Sequence, residues 1–201
     1  MSELETLAEQ IHNCQKCPLS MGRTLAVPGH GSEDATIMLV GEAPGFHEDQ
    51  QGLPFVGAAG KFLDELLGSI NLSRQDVYIT NVIKCRPPTN RDPQPEEMAA
   101  CRPYLDQQIA LIKPKMIVTL GRFSMRLAFS GVTISRVHGK PKKVGDVVYF
   151  PMFHPAAALH QPRFRILIEQ DILKIPEILA NIQSIEAEAE APPPPEQLTL
   201  F

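Results

Sequence analysis

Four cysteines are the residues whose type and spacing most directly suggest chemistry. Cys14 and Cys17 form a C-x-x-C pair around Lys16, while Cys85 and Cys101 bracket the proline-rich stretch RPPTNRDPQP. A fold that converges the two pairs sets four thiolates around one centre, which suits either zinc or an iron–sulfur cluster. Spacing does not separate the two. Disulfides are the weaker reading, because the chain is neither small nor headed by a secretory leader. A second constellation lies in GEAPGFHEDQQGLPFVGAAG, where Gly41, Gly45, Gly52, Gly57 and Gly60 let backbone approach a ligand closely. It matches neither the dinucleotide fingerprint nor the Walker pattern, so it points to a phosphate or a base without choosing. Asn81 and His154 complete the set of polar candidates.

The elements that must position these residues alternate along the chain. LETLAEQI has helical spacing and leads into Cys14; TIMLVG is a wholly apolar run ending on glycine, as a buried parallel strand should. KFLDELLGSI then predicts a helix, DVYITNVIK a strand, PEEMAACRPYLDQQIALI a helix and KMIVTLG a strand. RFSMRLAFSG predicts a helix, VVYFPMF a strand, and Arg163 to Ile182 a closing helix. Such alternation means an α/β domain with a parallel sheet covered on both faces. Ligands of such sheets bind at the carboxyl ends of the strands, where the glycine-rich loop, Asn81 and His154 all fall.

The length of 201 residues fits one domain, taken as residues 1–183, followed by a Pro/Glu/Ala-rich tail over 184–201. No stretch has the length of a membrane span and the first residues are acidic, so a cytoplasmic protein acting as a monomer is expected. The net charge of −4 is carried by Glu186, Glu188, Glu190 and Glu196, which leaves residues 1–184 neutral. A neutral domain still accommodates a basic face, and Lys140, Lys142, Lys143, Arg163 and Arg165 cluster late in the chain.

GEAPG, GLPFVGAAG, YITNVIKCRPP and PMFHPA, together with the four cysteines, resemble the family 4 uracil-DNA glycosylases, the iron–sulfur branch of the uracil-DNA glycosylase superfamily. The resemblance runs from Cys14 to about Leu173. It implies a three-layer αβα fold around a four-stranded parallel sheet and a [4Fe–4S] cluster on Cys14, Cys17, Cys85 and Cys101. It also implies base-excision repair by a monofunctional hydrolase, which cleaves the N-glycosidic bond of uracil in DNA and leaves an abasic site.

Each residue then acquires a chemical task. A base must be flipped out of the duplex before it is read. Phe55 is the expected stacking platform, in a pocket formed with Gly41, Ala43 and Glu48. Asn81 offers one acceptor and two donors, so it accepts from uracil N3–H and donates to O4, whereas cytosine mispairs at both points. His154 is the expected donor to uracil O2 as charge develops there, and Glu42 the carboxylate beside the oxocarbenium-like sugar and its attacking water. The best-known branch of the superfamily carries an aspartate where this chain has Ala43. Glu48 is placed to shield the C5 side of uracil and so exclude thymine. Where family 4 members usually carry acidic residues, this chain has Phe46 and His47. Gly57, Lys140, Arg163 and Arg165 are expected along the DNA, with Leu159, in the loop after His154, as the wedge that fills the hole left by the base.

A related branch traps its DNA through a histidine in an RRIH-type loop. This chain has TNRDPQPEEMAA there, and SRVHGK lies elsewhere, so turnover without a trapped adduct is predicted. The tail ends in QLTLF, which resembles the clamp-binding motif of bacterial replication and repair proteins: Leu198, Leu200 and Phe201 as apolar anchors, Gln197 fixing register, a bacterial sliding clamp as partner. Two other readings compete with the glycosylase: a non-catalytic iron–sulfur or zinc protein that binds nucleic acid or carries electrons, and a zinc-stabilised nucleotide hydrolase.

Overall fold

The computed structural model describes residues 1–185. The clamp motif at Gln197–Phe201 lies outside the described residues, as does nearly all of the tail.

The strands are β1 (His30–Gly31), β2 (Ile37–Gly41), β3 (Tyr78–Asn81), β4 (Met116–Leu120), β5 (Lys142–Val144) and β6 (Val147–Met152). They form one six-stranded sheet in the order β1-β3-β2-β4-β6-β5. The inner four, β3-β2-β4-β6, are parallel throughout, so the expected four-stranded parallel sheet is its centre. The two edge strands are additions that the sequence does not announce, and both pair antiparallel. Two residues make β1, and lysines occupy two of the three positions of β5, both common ways of protecting an edge from further pairing.

The helices are α1 (Glu3–His12), α2 (Leu19–Gly22), α3 (Phe46–Gln51), α4 (Ala58–Ser69) and α5 (Pro95–Ile112), then α6 (Ile134–Val137), α7 (Pro155–His160), α8 (Pro162–Ile172) and α9 (Ile175–Ala180). Alternation along β2 assigns them to two layers. Ile37 and Leu39 face a core built with Phe62, Leu63, Leu66 and Leu67 of α4 and Ile168 and Ile172 of α8. Met38 and Val40 face the opposite core, with Leu4, Leu7 and Ile11 of α1 and Tyr104 and Leu105 of α5. Apolar residues on both faces are what a parallel sheet between two helical layers requires.

Three predicted elements differ. RFSMRLAFSG yields only one 3₁₀ turn, Ser124–Leu127; with Ser124 and Met125 its only buried residues, so short a segment lacks the packed face that sustains a helix. The closing helix from Arg163 is broken after Ile172 and resumes at Ile175. Pro176 is the cause: it has no N–H for the carbonyl of Ile172 and its ring would collide with that carbonyl. The strand DVYITNVIK is regular only to Asn81, after which Val82 and Ile83 donate to the carbonyls of Gly41 and Glu42 as the chain leaves the sheet.

Candidate active site

A cavity of about 370 Å³ opens at the carboxyl ends of the parallel strands. Asn81 closes β3 directly opposite Gly41, the last residue of β2. The absence of a side chain at Gly41 is a steric requirement, since a Cβ there would lie 2.3 Å from Asn81 Oδ1 and 2.8 Å from the Phe55 ring. Asn81 is buried, and its Oδ1 has no hydrogen-bond partner among the described residues. An orphaned buried acceptor facing a cavity is an unmet demand for a donor. Phe55 lies against the same space with its ring stacked on His154 at 5.5 Å.

Phe55 holds a left-handed backbone, φ +54, which costs energy unless its surroundings impose it. Arg74 does so: its guanidinium donates to the carbonyls of Pro54 and Phe55 and pairs with Asp64 at 2.5 Å. Sequence reasoning missed Arg74, which carries no motif. Glu48 also acts on the backbone. Oε1 accepts from the N–H groups of Val56 and Gly57 and Oε2 from that of Gly45, so one carboxylate ties together both ends of the glycine-rich loop. It lines the cavity, where it was expected to screen the base, but its oxygens are committed to the loop. Gly57, expected along the DNA, thus has its N–H on the Glu48 carboxylate.

His154 caps α7, its Nδ1 accepting from the Ala156 N–H at 3.1 Å. That bond requires Nδ1 to be unprotonated and leaves the proton of the neutral ring on Nε2. Part of the ring still opens to the cavity, but the surrounding protein desolvates it enough to push its pKa down to about 4, against the opposing charge of Glu48. It is a neutral donor at physiological pH. Glu42, following β2, is shifted the other way: burial raises its pKa, while the Phe123 N–H and the Arg122 charge oppose the rise. A carboxylate with raised pKa beside a neutral imidazole is a pairing suited to proton management.

The loop between Cys85 and Cys101 supplies the remaining wall, through Pro87, Asn90, Arg91, Asp92 and Pro93. It is shaped by a bidentate pair between Arg91 and the buried Glu97, at 2.6 and 2.9 Å, with the Gln94 N–H on the same carboxylate. The four cysteines border one small apolar pocket behind this wall, together with Arg23, Lys84 and Tyr104. Three N–H groups point at sulfur: Arg23 to Cys85 at 2.9 Å, Lys84 backbone to Cys101 at 3.3 Å and Lys16 backbone to Cys14 at 3.5 Å. That donor set fits thiolates holding a cluster. Among the described residues no three Cys, His, Asp or Glu side chains are grouped so as to hold a single metal ion.

Lys84 links the two sites and was also missed. Fully buried, with its pKa pushed down to about 8 by desolvation, it donates to Thr80 Oγ1 at 2.6 Å, Gln108 Oε1 at 2.7 Å and the Asn81 carbonyl at 2.8 Å. Its position in an apolar run, VIKC, is the only signal in the sequence.

The residues expected along the DNA stand outside the cavity. Leu159 lies half-exposed on helix α7, which replaces the expected loop after His154. Lys140 and Arg163 are exposed, and Arg165 is exposed but engaged, paired with Glu65 and Glu169 at 2.8 Å each. His138 bonds Asp171 at 2.6 Å and packs on Phe153, away from the cavity.

An aromatic, an amide and a neutral histidine thus converge on one cavity at the strand ends of an αβα sheet, the place where ligands of such sheets bind. The family described as the Uracil DNA glycosylase superfamily matches residues 28–173. A type-4 uracil-DNA glycosylase of Sulfurisphaera tokodaii is 50% identical over 188 residues, 89% of this chain and 86% of its own. The type-4 enzyme of Archaeoglobus fulgidus is 48% identical, covering 91% of this chain and 96% of its own, and that of Thermotoga maritima 44%, covering 85% and 92%. The chain belongs to the type-4 branch of the uracil-DNA glycosylase superfamily.

Proposed function

We propose that the protein excises uracil from DNA by hydrolysing the bond between uracil N1 and the deoxyribose C1′. The observation that carries this reading is the orphaned Oδ1 of Asn81 beside Phe55 and the Nε2–H of His154. Together they match a flipped pyrimidine that presents N3–H to the amide, O2 to the imidazole and a π-face to the phenyl ring. As the bond breaks, negative charge gathers on O2. A neutral donor there lowers the barrier, by about 3 kcal/mol for one such contact. Glu42 faces the cationic sugar and orients the water whose oxygen joins C1′, taking up the proton that this water loses while uracil leaves as an anion that is then protonated from solvent.

The cysteine site supports a [4Fe–4S] cluster held by Cys14, Cys17, Cys85 and Cys101. Those four residues would hold the cluster, which would supply a structural tie between the N-terminal segment and both ends of the cavity-wall loop. The motif at Gln197–Phe201 supports docking on a sliding clamp; deleting it should abolish clamp binding and leave uracil release from a free oligonucleotide unchanged.

The reading is tested by incubation with a uracil-containing oligonucleotide. Free uracil and an alkali-labile abasic site are expected, and their absence at any protein concentration would refute it. A brown protein absorbing broadly near ~400 nm is expected of the cluster; a colourless, active protein with stoichiometric zinc would refute that assignment.

A further inference from the structure

We propose that the turn after β4, Gly121–Arg122–Phe123, positions Glu42 by gripping its carboxylate at the edge of the cavity, where it directs the attacking water. The inference rests on the role given to Glu42 above.

The geometry begins in the sheet. β2 and β4 are parallel neighbours, so the residues that follow them, Glu42 and Gly121, emerge side by side. Gly121 adopts φ +104, a region that L side chains rarely enter. A Cβ there would lie 2.3 Å from Glu42 Oε1 and 2.9 Å from its carboxyl carbon. The carboxylate therefore occupies the space that any other residue at 121 would fill. The turn then folds over Oε1, and the Phe123 N–H donates to it at 3.1 Å. The Arg122 backbone N–H acts on the same carboxylate, and Glu42 lines the cavity, where a water can reach it.

The same turn is tied to the other half of the chemistry. The Gly121 N–H donates to the carbonyl of Met152, the last residue of β6, two positions before His154. The turn is thus anchored on the strand that delivers the imidazole while it holds the carboxylate. Arg122 reaches back over the rim and pairs with Asp92 of the cavity wall at 2.5 Å. Arg122 and Asp92 are the charges that act on Glu42 directly, and Glu48, Arg91 and His154 share its cavity. Desolvation raises the Glu42 pKa, while the amides of the turn and the Arg122 charge favour the ionised form and hold the rise in check. An anchored, partly desolvated carboxylate that lines the cavity suits a water-orienting group.

Three substitutions in the full chain test this by single-turnover pH–rate profiles on uracil-DNA, with affinity for that DNA and thermal unfolding measured alongside. Glu42→Gln should remove the acid limb and lower the rate by about 10². Gly121→Ala should lower the rate about tenfold or more with uracil-DNA affinity unchanged, because the methyl group evicts the carboxylate and not the base. Arg122→Gln should move the acid limb to higher pH by about half a unit or more, since a charge that favours the carboxylate is lost. A purely structural turn would leave that midpoint in place. Should Gly121→Ala fail to fold, Arg122→Gln alone decides. An impaired Glu42→Gln protein alongside an Arg122→Gln profile that superimposes on the parent's overturns the positioning role alone. Parental rates in Glu42→Gln would instead remove the catalytic role of Glu42, and this inference with it.

Discussion

His154 shows how one hydrogen bond decides the chemistry of a residue. Because the Ala156 N–H occupies Nδ1, only Nε2 can donate, and because burial pushes the pKa down to about 4 the ring is neutral at physiological pH. His154→Ala should lower the single-turnover rate by about 10² with the ~400 nm absorption intact. No limb of the parent pH–rate profile between pH 5 and 8 should disappear with it, as none there is due to His154. The raised pKa of Glu42 instead places the acid limb above the usual carboxylate range, with the rate climbing as the carboxylate ionises. In the proposed pocket, Asn81 reads the base. Asn81→Asp exchanges its donor for an acceptor, which loses uracil O4 and gains the N4 amino group of cytosine, so cytosine release should become detectable. Unchanged uracil selectivity in that variant would show that the base is read elsewhere.

Among the elements, the cavity-wall loop depends most on a single contact. Arg91 is half-exposed, but Glu97 is buried at the start of α5, and the bidentate pair with the Gln94 N–H fixes how the loop enters the helix. Arg91→Met leaves that carboxylate without its cation and should lower the denaturant midpoint at neutral pH. Hydrogen bonds from Arg91 hold the Glu97 pKa below its ordinary value. The pair therefore contributes stability above the unfolded pKa of about 4.5, and that contribution is lost as pH falls through the lower folded value. Denaturant midpoints should accordingly drop more steeply below pH 4.5 in the parent than in Arg91→Met; parallel curves would show that the pair contributes nothing.

At the scale of the whole molecule, the cysteine site joins segments remote in sequence. Cys14 and Cys17 follow α1, Cys85 follows β3, and Cys101 lies within α5. Cys101→Ala should therefore cost more than one buried side chain: the ~400 nm band should be lost or diminished, the thermal midpoint lowered, and uracil release slowed through disorder of the loop wall. Lys84 carries the connection inward, since its amine bonds the Asn81 carbonyl while its backbone N–H faces Cys101. A Cys101→Ala protein with parental stability and rate would show that the two sites are independent.

The sequence by itself determined the layers, because burial on both faces of a parallel strand requires unbroken apolar runs, and those of β2, β4 and β6 are visible as TIMLVG, KMIVTLG and VVYFPMF. It also marked Gly41, Asn81, Phe55 and His154, since a site at strand ends inherits the order of the strands. Tertiary structure alone decided what these residues are held by. Arg74 behind Phe55, the Gly121 turn around Glu42 and Lys84 under Asn81 act through hydrogen bonds to backbone or to residues distant in the chain. Such bonds depend on which chain ends the sheet order brings together, here β2 beside both β3 and β4, and no local pattern of residue types records that adjacency.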